Sequence, residues 1–343
     1  MKFKFMGKIV FRVDSSYKIG TGHLIRCISL ARLLNAEVHF VTRNLPGNAS
    51  HLIRLNQFVL HEIDSFDVGL GEQLIEDEMV GRFFALIKPD VIVVDHYGLD
   101  QSWEKMALGY SKEILVIDDL DRVHSPSVSL LDQNYKKDVC ENYKNIKNRL
   151  FLGPEFALLS ENFLNFTGSR SVKEVKNIMV YFGGSDLHEQ TRRVYRLIHE
   201  LPMQIHWNFV VSENSKDIEF FRELNCPNSS VYINIDYMAR LMSECDLFIG
   251  AGGATSWERA KLGLPTVCIS LAENQNINGH ELAGLGVHYF MGYYNTFTDN
   301  QLKFILLDHI TAPEKLNIFR ENSKKLNVSS RIDELVCYLN GII

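Results

Sequence analysis

The stretch Asp246–Leu262, DLFIGAGGATSWERAKL, runs from a short apolar segment through a glycine-rich turn into a helical pattern. A continuous apolar strand reads as buried on both faces, and a helix directly after it makes the βα unit of a parallel sheet. The same rhythm extends outward on both sides. Strand Thr266–Ile269 and helix Gln275–Leu285 follow, and Asp299–His309 and Lys315–Leu339 read as closing helices. Upstream lie strand Asn177–Phe182, helix Asp186–His199, strand Ile205–Val211, strand Val231–Ile235 and a short helix Tyr237–Glu244.

The first half repeats the scheme. Lys8–Val13, Glu37–Val41, Val91–Asp95 and Ile114–Asp118 read as strands, and Gly22–Leu34, Glu72–Ile87 and Ser102–Tyr110 as helices. In the first of these helices Ile25, Ile28, Ala31 and Leu34 are spaced for one face. The rhythm is lost from Tyr135 to Lys176, a stretch rich in Asn, Lys and Ser, which places the domain boundary there. The expected architecture is α/β, two doubly wound Rossmann-like domains at residues 1–150 and 151–343. Ligands of such domains sit at the carboxyl ends of the strands, here expected in the cleft between the halves.

Composition narrows the partners. The 343 residues include 36 Lys and Arg against 42 Asp and Glu, a formal charge of −6. No basic block accompanies this, so neither nucleic acid nor an anionic membrane is an expected partner. Any anionic ligand must be held by local chemistry. Six cysteines are scattered without a CxxC pair, which fits a reducing cytoplasm better than a disulfide framework. The N-terminal segment enters a strand pattern without a small-residue cleavage site, and no stretch approaches the about 20 apolar residues of a membrane span. A cytoplasmic protein follows, with a monomer as the simplest state.

Each conspicuous glycine cluster falls at a strand-to-helix junction: Gly20-Thr21-Gly22-His23, Gly183-Gly184-Ser185, and Gly250 to Thr255. Glycine lets backbone approach a ligand closely, and the free N–H groups and dipole of the next helix attract anions. Two such loops in one half suit a diphosphate, along Gly183, Gly184, Ser185, Gly252, Gly253 and Ala254. The competing reading is a pair of tight βα turns and nothing more. No GxGxxG follows the first strand and no GxxxxGK[ST] is present, so NAD and ATP are poor candidates and no cofactor is expected.

Glu258 lies one turn into the following helix, where an acid can accept from both hydroxyls of a ribose. The alternative is a helix carboxylate paired with Arg259 or Lys261. His23 sits in the first turn of its helix, where the positive dipole end disfavours imidazolium. A neutral imidazole facing a cleft is what a general base needs; the alternative is a helix-start hydrogen-bonding group. Val91–Tyr97 ends a buried strand in Asp95, His96 and Tyr97, and Asp118 and Asp119 end the next. These acids lack the HxH, HxxxH or Cys sets that complete a metal site, so no metal is expected. Asn274 and Gln275 follow a strand end and suit a neutral polar group. No GxSxG elbow supports a serine hydrolase.

With these residues in view, the chain resembles the GT-B fold, MurG-like in outline, and within it the UDP-sugar hydrolases of pseudaminic acid biosynthesis. The resemblance rests on DSSYKIGTGHLIRC (Asp14–Cys27), VVDHYGLD (Val93–Asp100), VIDDLDR (Val116–Arg122), LLDQN (Leu130–Asn134) and LGPEFALL (Leu152–Leu159). FGGSD (Phe182–Asp186), GAGGATSWERAKLGLP (Gly250–Pro265) and AENQ (Ala272–Gln275) continue it in order. It implies release of UDP from UDP-2,4-diacetamido-2,4,6-trideoxy-β-L-altropyranose. His23 would deprotonate the attacking water, and inversion at the anomeric carbon would follow. Asp14, Gly22, Tyr97, Asn274 and Gln275 would meet the sugar, the two glycine loops the diphosphate, Glu258 the ribose, and backbone near Ile235 and Met238 the uracil. Two departures from the family pattern stand out. Ala254 replaces a frequent Ser or Thr, and Leu187-His188-Glu189 replaces a Pro/Asn-type continuation. The competing functions are a MurG-like transferase, in which an acceptor hydroxyl replaces water, and a non-catalytic UDP-sugar binder. A hydrolysing 2-epimerase would need more acids around the sugar than the sequence places there.

Overall fold

The computed structural model describes residues 7–63, 72–137, 139–166, 168 and 171–343. Two units emerge, Met1–Leu158 with Ser329–Ile343, and Leu159–Val328. Unit 1 carries β1 (Lys8–Val13), β2 (Glu37–Arg43), β3 (Val59–Ile63), β4 (Val91–Asp95), β5 (Glu113–Ile117), β6 (Ser129–Asp132) and β7 (Leu150–Leu152). They form one parallel sheet in the order β3-β2-β1-β4-β5-β6-β7. Side chains alternate across it. Ile9, Phe11 and Val13 join Leu24, Ile28 and Ala31 of the helix Gly22–Leu33 on one face. Val10, Ile92 and Val94 meet Val80, Phe84 and Trp103 on the other. Both faces are covered, which is why the strands are apolar throughout rather than alternating.

Unit 2 repeats the plan with β8 (Asn177–Tyr181), β9 (His206–Val211), β10 (Ser229–Ile233), β11 (Leu247–Ala251), β12 (Thr266–Ser270) and β13 (Tyr289–Tyr293), ordered β10-β9-β8-β11-β12-β13. Its core gathers Ile178, Val180, Trp207, Phe209, Leu247, Ile249, Val267 and Ile269. In each sheet the strand order reverses once, between β1 and β4 and between β8 and β11. Loops leaving those paired strands diverge to opposite faces and open a crevice at the carboxyl ends.

Three features differ from the sequence expectation. The boundary falls after Leu158, because Phe151 pairs with Leu131 and Phe156 packs into the unit 1 core. The run Lys315–Leu339 is two helices, Pro313–Lys325 and Ile332–Ile342, separated where Asn327 and Ser329 take left-handed backbone. The second returns to unit 1, burying Ile332, Leu335 and Leu339, while the Tyr338 hydroxyl donates to Glu113. The helix expected from Asp186 begins at Gln190. Strands β3, β6, β7 and β13 were not legible: three are short or polar, and β13 is an aromatic run interrupted by Gly292.

Candidate active site

The crevice of unit 1 is built from side chains. Asp95 ends β4 and is fully buried, and His23 is the second residue of the helix that follows β1. The His23 Nδ1 lies 2.6 Å from Asp95 Oδ1. One turn on, Arg26 donates from Nε to Asp95 Oδ2 and from NH2 to Asp95 Oδ1, both at 2.6 Å. Burial by itself would raise the Asp95 carboxyl, but the Arg26 guanidinium and the His23 ring hold it well below the usual carboxylate range. An ionised carboxylate only accepts, so the short contact requires a proton on Nδ1. In the neutral ring the lone pair then sits on Nε2, which has no partner among the described residues. The side chain is 14% exposed. A base oriented by a carboxylate, with its second nitrogen open, is the geometry that general-base catalysis needs.

A second His–Asp pair lies at the same strand ends and is closed. The His96 Nδ1 accepts from the Gly98 N–H at 3.0 Å, so its Nε2 donates to Asp14 at 3.1 Å. Asp14 also accepts from Arg12 at 2.6 and 3.1 Å and from the Arg43 N–H at 2.8 Å, and is 2% exposed. Burial opposes its charge, and Arg12 and His96 overcome this to keep it ionised. Asp14, expected to meet a sugar, is buried and braces the ends of β1 and β2 through these contacts.

Tyr97 sets its ring edge-on to His23, with centroids 4.7 Å apart, and its hydroxyl donates to Asp119 at 2.9 Å. Burial and the Asp119 carboxylate push the phenol well up, so it stays a donor. The loop bearing Tyr97 is clamped by Arg122, which binds Asp118 at 2.7 Å and donates to the carbonyls of His96, Tyr97 and Leu99. Gly22 opens the helix, and the Thr21 side chain does not cap it.

The crevice of unit 2 is built from backbone. Gly183 has φ +94°, a left-handed conformation that favours glycine. The next helix start is already occupied: Asp186 accepts from the Gln190 and Thr191 N–H groups at 3.0 and 2.8 Å. An anion at this junction would therefore meet the Gly183–Ser185 loop and not the helix end. At the other junction Gly252, Gly253 and Ala254 lead into the helix Thr255–Leu262, whose start has no side-chain cap. Gly250 is forced, since a Cβ there would collide with the Tyr181 carbonyl. Gln275 packs beside Gly252 and accepts from the Leu271 N–H, whereas Asn274 is exposed at the first turn of its helix.

Glu258 is half-buried and makes no hydrogen bond or ion pair among the described residues. Its sequence neighbours are committed elsewhere: Arg259 to the Ala251 carbonyl and Ser256, Lys261 to the Val328 carbonyl. Burial pushes the carboxyl up to about 7. An acid strained in this way, beside a glycine loop, is available to a ligand. Ile235 and Met238 are half-buried at the turn after β10. The sequence singled out His23, Tyr97, Glu258 and both loops. It placed Asp95 and Asp119 only as strand-end acids and gave no role to Arg26 or Arg122. Among the described residues no three His, Cys, Asp or Glu side chains converge as a metal site. No helix among them is long and apolar enough to cross a membrane.

Comparison with known proteins adds family and fold. Residues 160–280 match the model of a protein family of unknown function, DUF354. The chain is 26% identical to uncharacterized protein MJ1062 of Methanocaldococcus jannaschii, over 95% of this chain and 69% of that protein. It is 26% identical to the UDP-2,4-diacetamido-2,4,6-trideoxy-β-L-altropyranose hydrolase of Campylobacter jejuni, over 81% of this chain and 97% of the relative. Identity to the spore coat polysaccharide biosynthesis protein SpsG of Bacillus subtilis is 24%, over 84% and 85%. In fold the chain is similar to MurG from Acinetobacter baumannii, with a TM-score of 0.67 at 14% identity, covering 97% of this chain and 99% of MurG. TcCGT1, solved in complex with UDP, gives 0.66 at 11% identity, over 98% and 100%. The chain is a distant homologue of the Campylobacter jejuni hydrolase and of SpsG, built on the GT-B fold of MurG-like glycosyltransferases.

Proposed function

We propose that the protein hydrolyses a UDP-sugar, with UDP-2,4-diacetamido-2,4,6-trideoxy-β-L-altropyranose as the substrate to test first. One observation carries the reading: His23 is held by an ionised Asp95 with Nε2 left open, in a chain homologous to a hydrolase of that substrate. Water gives a proton to His23 Nε2, and its oxygen bonds to the anomeric carbon. The bond from that carbon to the diphosphate oxygen breaks, and UDP leaves with the electron pair. Asp95 steadies the imidazolium that forms. Asp95 and Asp119 are both committed to Arg26, so neither is offered as a nucleophile and a single displacement inverts the anomeric centre.

Unit 2 takes the nucleotide: loops Gly183–Ser185 and Gly252–Ala254 spread the diphosphate charge over fixed N–H donors, Glu258 accepts from the ribose, and the turn at Ile235 and Met238 receives the uracil. On unit 1, Tyr97 and Gly22 border the sugar, and the leaving group departs without a required metal. Incubation in ¹⁸O-water without an acceptor tests this. The expected result is one UDP per sugar, label at the anomeric carbon, and a rate unchanged by EDTA. UDP released only when an alcohol acceptor is supplied would establish the transferase instead, and UDP binding without any release would establish a binding protein.

A further inference from the structure

Arg26 carries one positive charge, and two carboxylates share it. While Nε and NH2 hold Asp95, NH1 donates to Asp119 Oδ1 and Oδ2 at 3.1 and 2.8 Å. Asp119 lies just beyond β5 and accepts two further hydrogen bonds, from the Tyr97 hydroxyl at 2.9 Å and from Asn134 Nδ2 at 3.3 Å. It thus grips both side chains that fix the His23 ring: Arg26, which holds Asp95 and lies with NH2 3.1 Å from His23 Nδ1, and Tyr97, which packs edge-on to the imidazole. Asp119 itself does not touch His23.

We infer that Asp119 is a positioning residue for His23, acting by balancing the Arg26 charge and by holding Tyr97 against the imidazole. The inference rests on the reading of His23 as the base. The charged and titratable groups around this ring start with Asp95 from β4, which also accepts from the neutral Cys27 thiol at 3.6 Å, and Arg26 on its own helix, with NH2 3.1 Å from His23 Nδ1. The others are Tyr97 from the loop after β4, with the Arg122 guanidinium over its ring and paired to Asp118, and Asp119 behind Arg26 and Tyr97. With His23 neutral, two carboxylates face one guanidinium, and a net negative charge remains. When His23 takes the proton from water, the imidazolium meets that charge and the cluster becomes neutral. Without the Asp119 charge, Arg26 alone would already cancel Asp95. The imidazolium would then form beside a neutral pair, in a buried place where charge–charge terms are strong. The sequence VIDDLDR therefore has two tasks: Asp118 with Arg122 clamps the Tyr97 loop, and Asp119 supplies the balancing charge.

The test is Asp119→Asn, which keeps size and removes charge. Thermal melting and UDP affinity are expected to stay near those of the unsubstituted protein. The kcat is expected to fall about tenfold to a hundredfold with little change in KM, a fraction of what a general base contributes. The acid limb of the rate profile should move to lower pH, because the imidazolium loses stabilisation. The low-field proton resonance of His23 Nδ1–H should move upfield, because Arg26 draws more on Asp95. A slower enzyme with the acid limb and the resonance unmoved would overturn the inference and leave Asp119 a structural tie. Asp119→Glu keeps the charge and is expected to leave both signals in place; their displacement there would equally overturn the charge argument. If the unsubstituted protein releases no UDP from any UDP-sugar, the hydrolase reading fails, and the resonance in the two variants still decides the role of Asp119.

Discussion

Units 1 and 2 share one plan, a parallel sheet whose order reverses once, yet they furnish the crevice at that reversal in opposite ways. In unit 1 the loops after β1, β4 and β5 present His23, Asp95, Tyr97 and Asp119, locked together through Arg26. In unit 2 the loops after β8 and β11 present glycines and backbone N–H groups, and Glu258 beside them makes no hydrogen bond or ion pair among the described residues. The contrast matches the roles proposed for the two crevices. A diphosphate is held well by many fixed donors at close range, which side chains would obstruct. A proton transfer needs one basic atom with a defined tautomer, which backbone cannot supply. The overall charge of −6 is uninformative here, because N–H groups and helix ends do not enter it.

Substitution in the two units should separate these roles. His23→Ala is expected to lower turnover by about 10²- to 10⁴-fold, the usual share of a general base, with UDP affinity by calorimetry unchanged. His96→Gln is the control: it touches the closed pair and should cost stability in a melting scan far more than it costs rate. Equal loss of UDP binding and turnover in His23→Ala would erase the division of labour between the units.

Glu258→Gln should act in reverse. Losing two hydrogen bonds to a carboxylate is expected to weaken UDP binding by about tenfold to a hundredfold. The same change should stabilise the free protein at pH 8 by about 1–3 kcal/mol, because desolvation pushes this half-buried carboxyl up to about 7 and its ionisation opposes folding. The sign follows from a folded value above the ordinary 4.5: the penalty grows from there to about pH 7 and then levels off. UDP affinity should accordingly decline as pH falls below about 7. A Gln variant that binds UDP unchanged would remove Glu258 from the site. Ser185→Ala should give the smallest effect, about 0.5–1.5 kcal/mol in UDP affinity if its hydroxyl adds one neutral hydrogen bond to the loop. No measurable effect would leave the binding to backbone alone.

Much of the fold was readable because its signals are local. Lys8–Val13, Glu72–Ile87, Val91–Asp95 and Thr255–Leu262 appear with the expected bounds. Their apolar runs and periods depend only on whether one or both faces are covered. The edge strand β3 escaped notice because its residues are half exposed and its run contains His61 and Glu62. Asp186 misled for a related reason. Glycines followed by a polar residue resemble an open helix start, yet its carboxyl turns back to cap the helix it precedes.

The sequence by itself determined two parallel α/β halves, glycine turns at strand ends, and a histidine in the first turn of a helix. Spacing along one chain segment carries each of these. The tertiary structure decided which acid serves which base. Asp95 reaches His23 across 72 residues, and Asp119 reaches Arg26 across 93. Tertiary structure likewise decided the partners of Asp14, around which Arg12, His96 and Arg43 gather. The return of the last helix to unit 1 was decided in the same way. Strand order sets these meetings, and strand order follows from how whole faces pack, which no local period encodes.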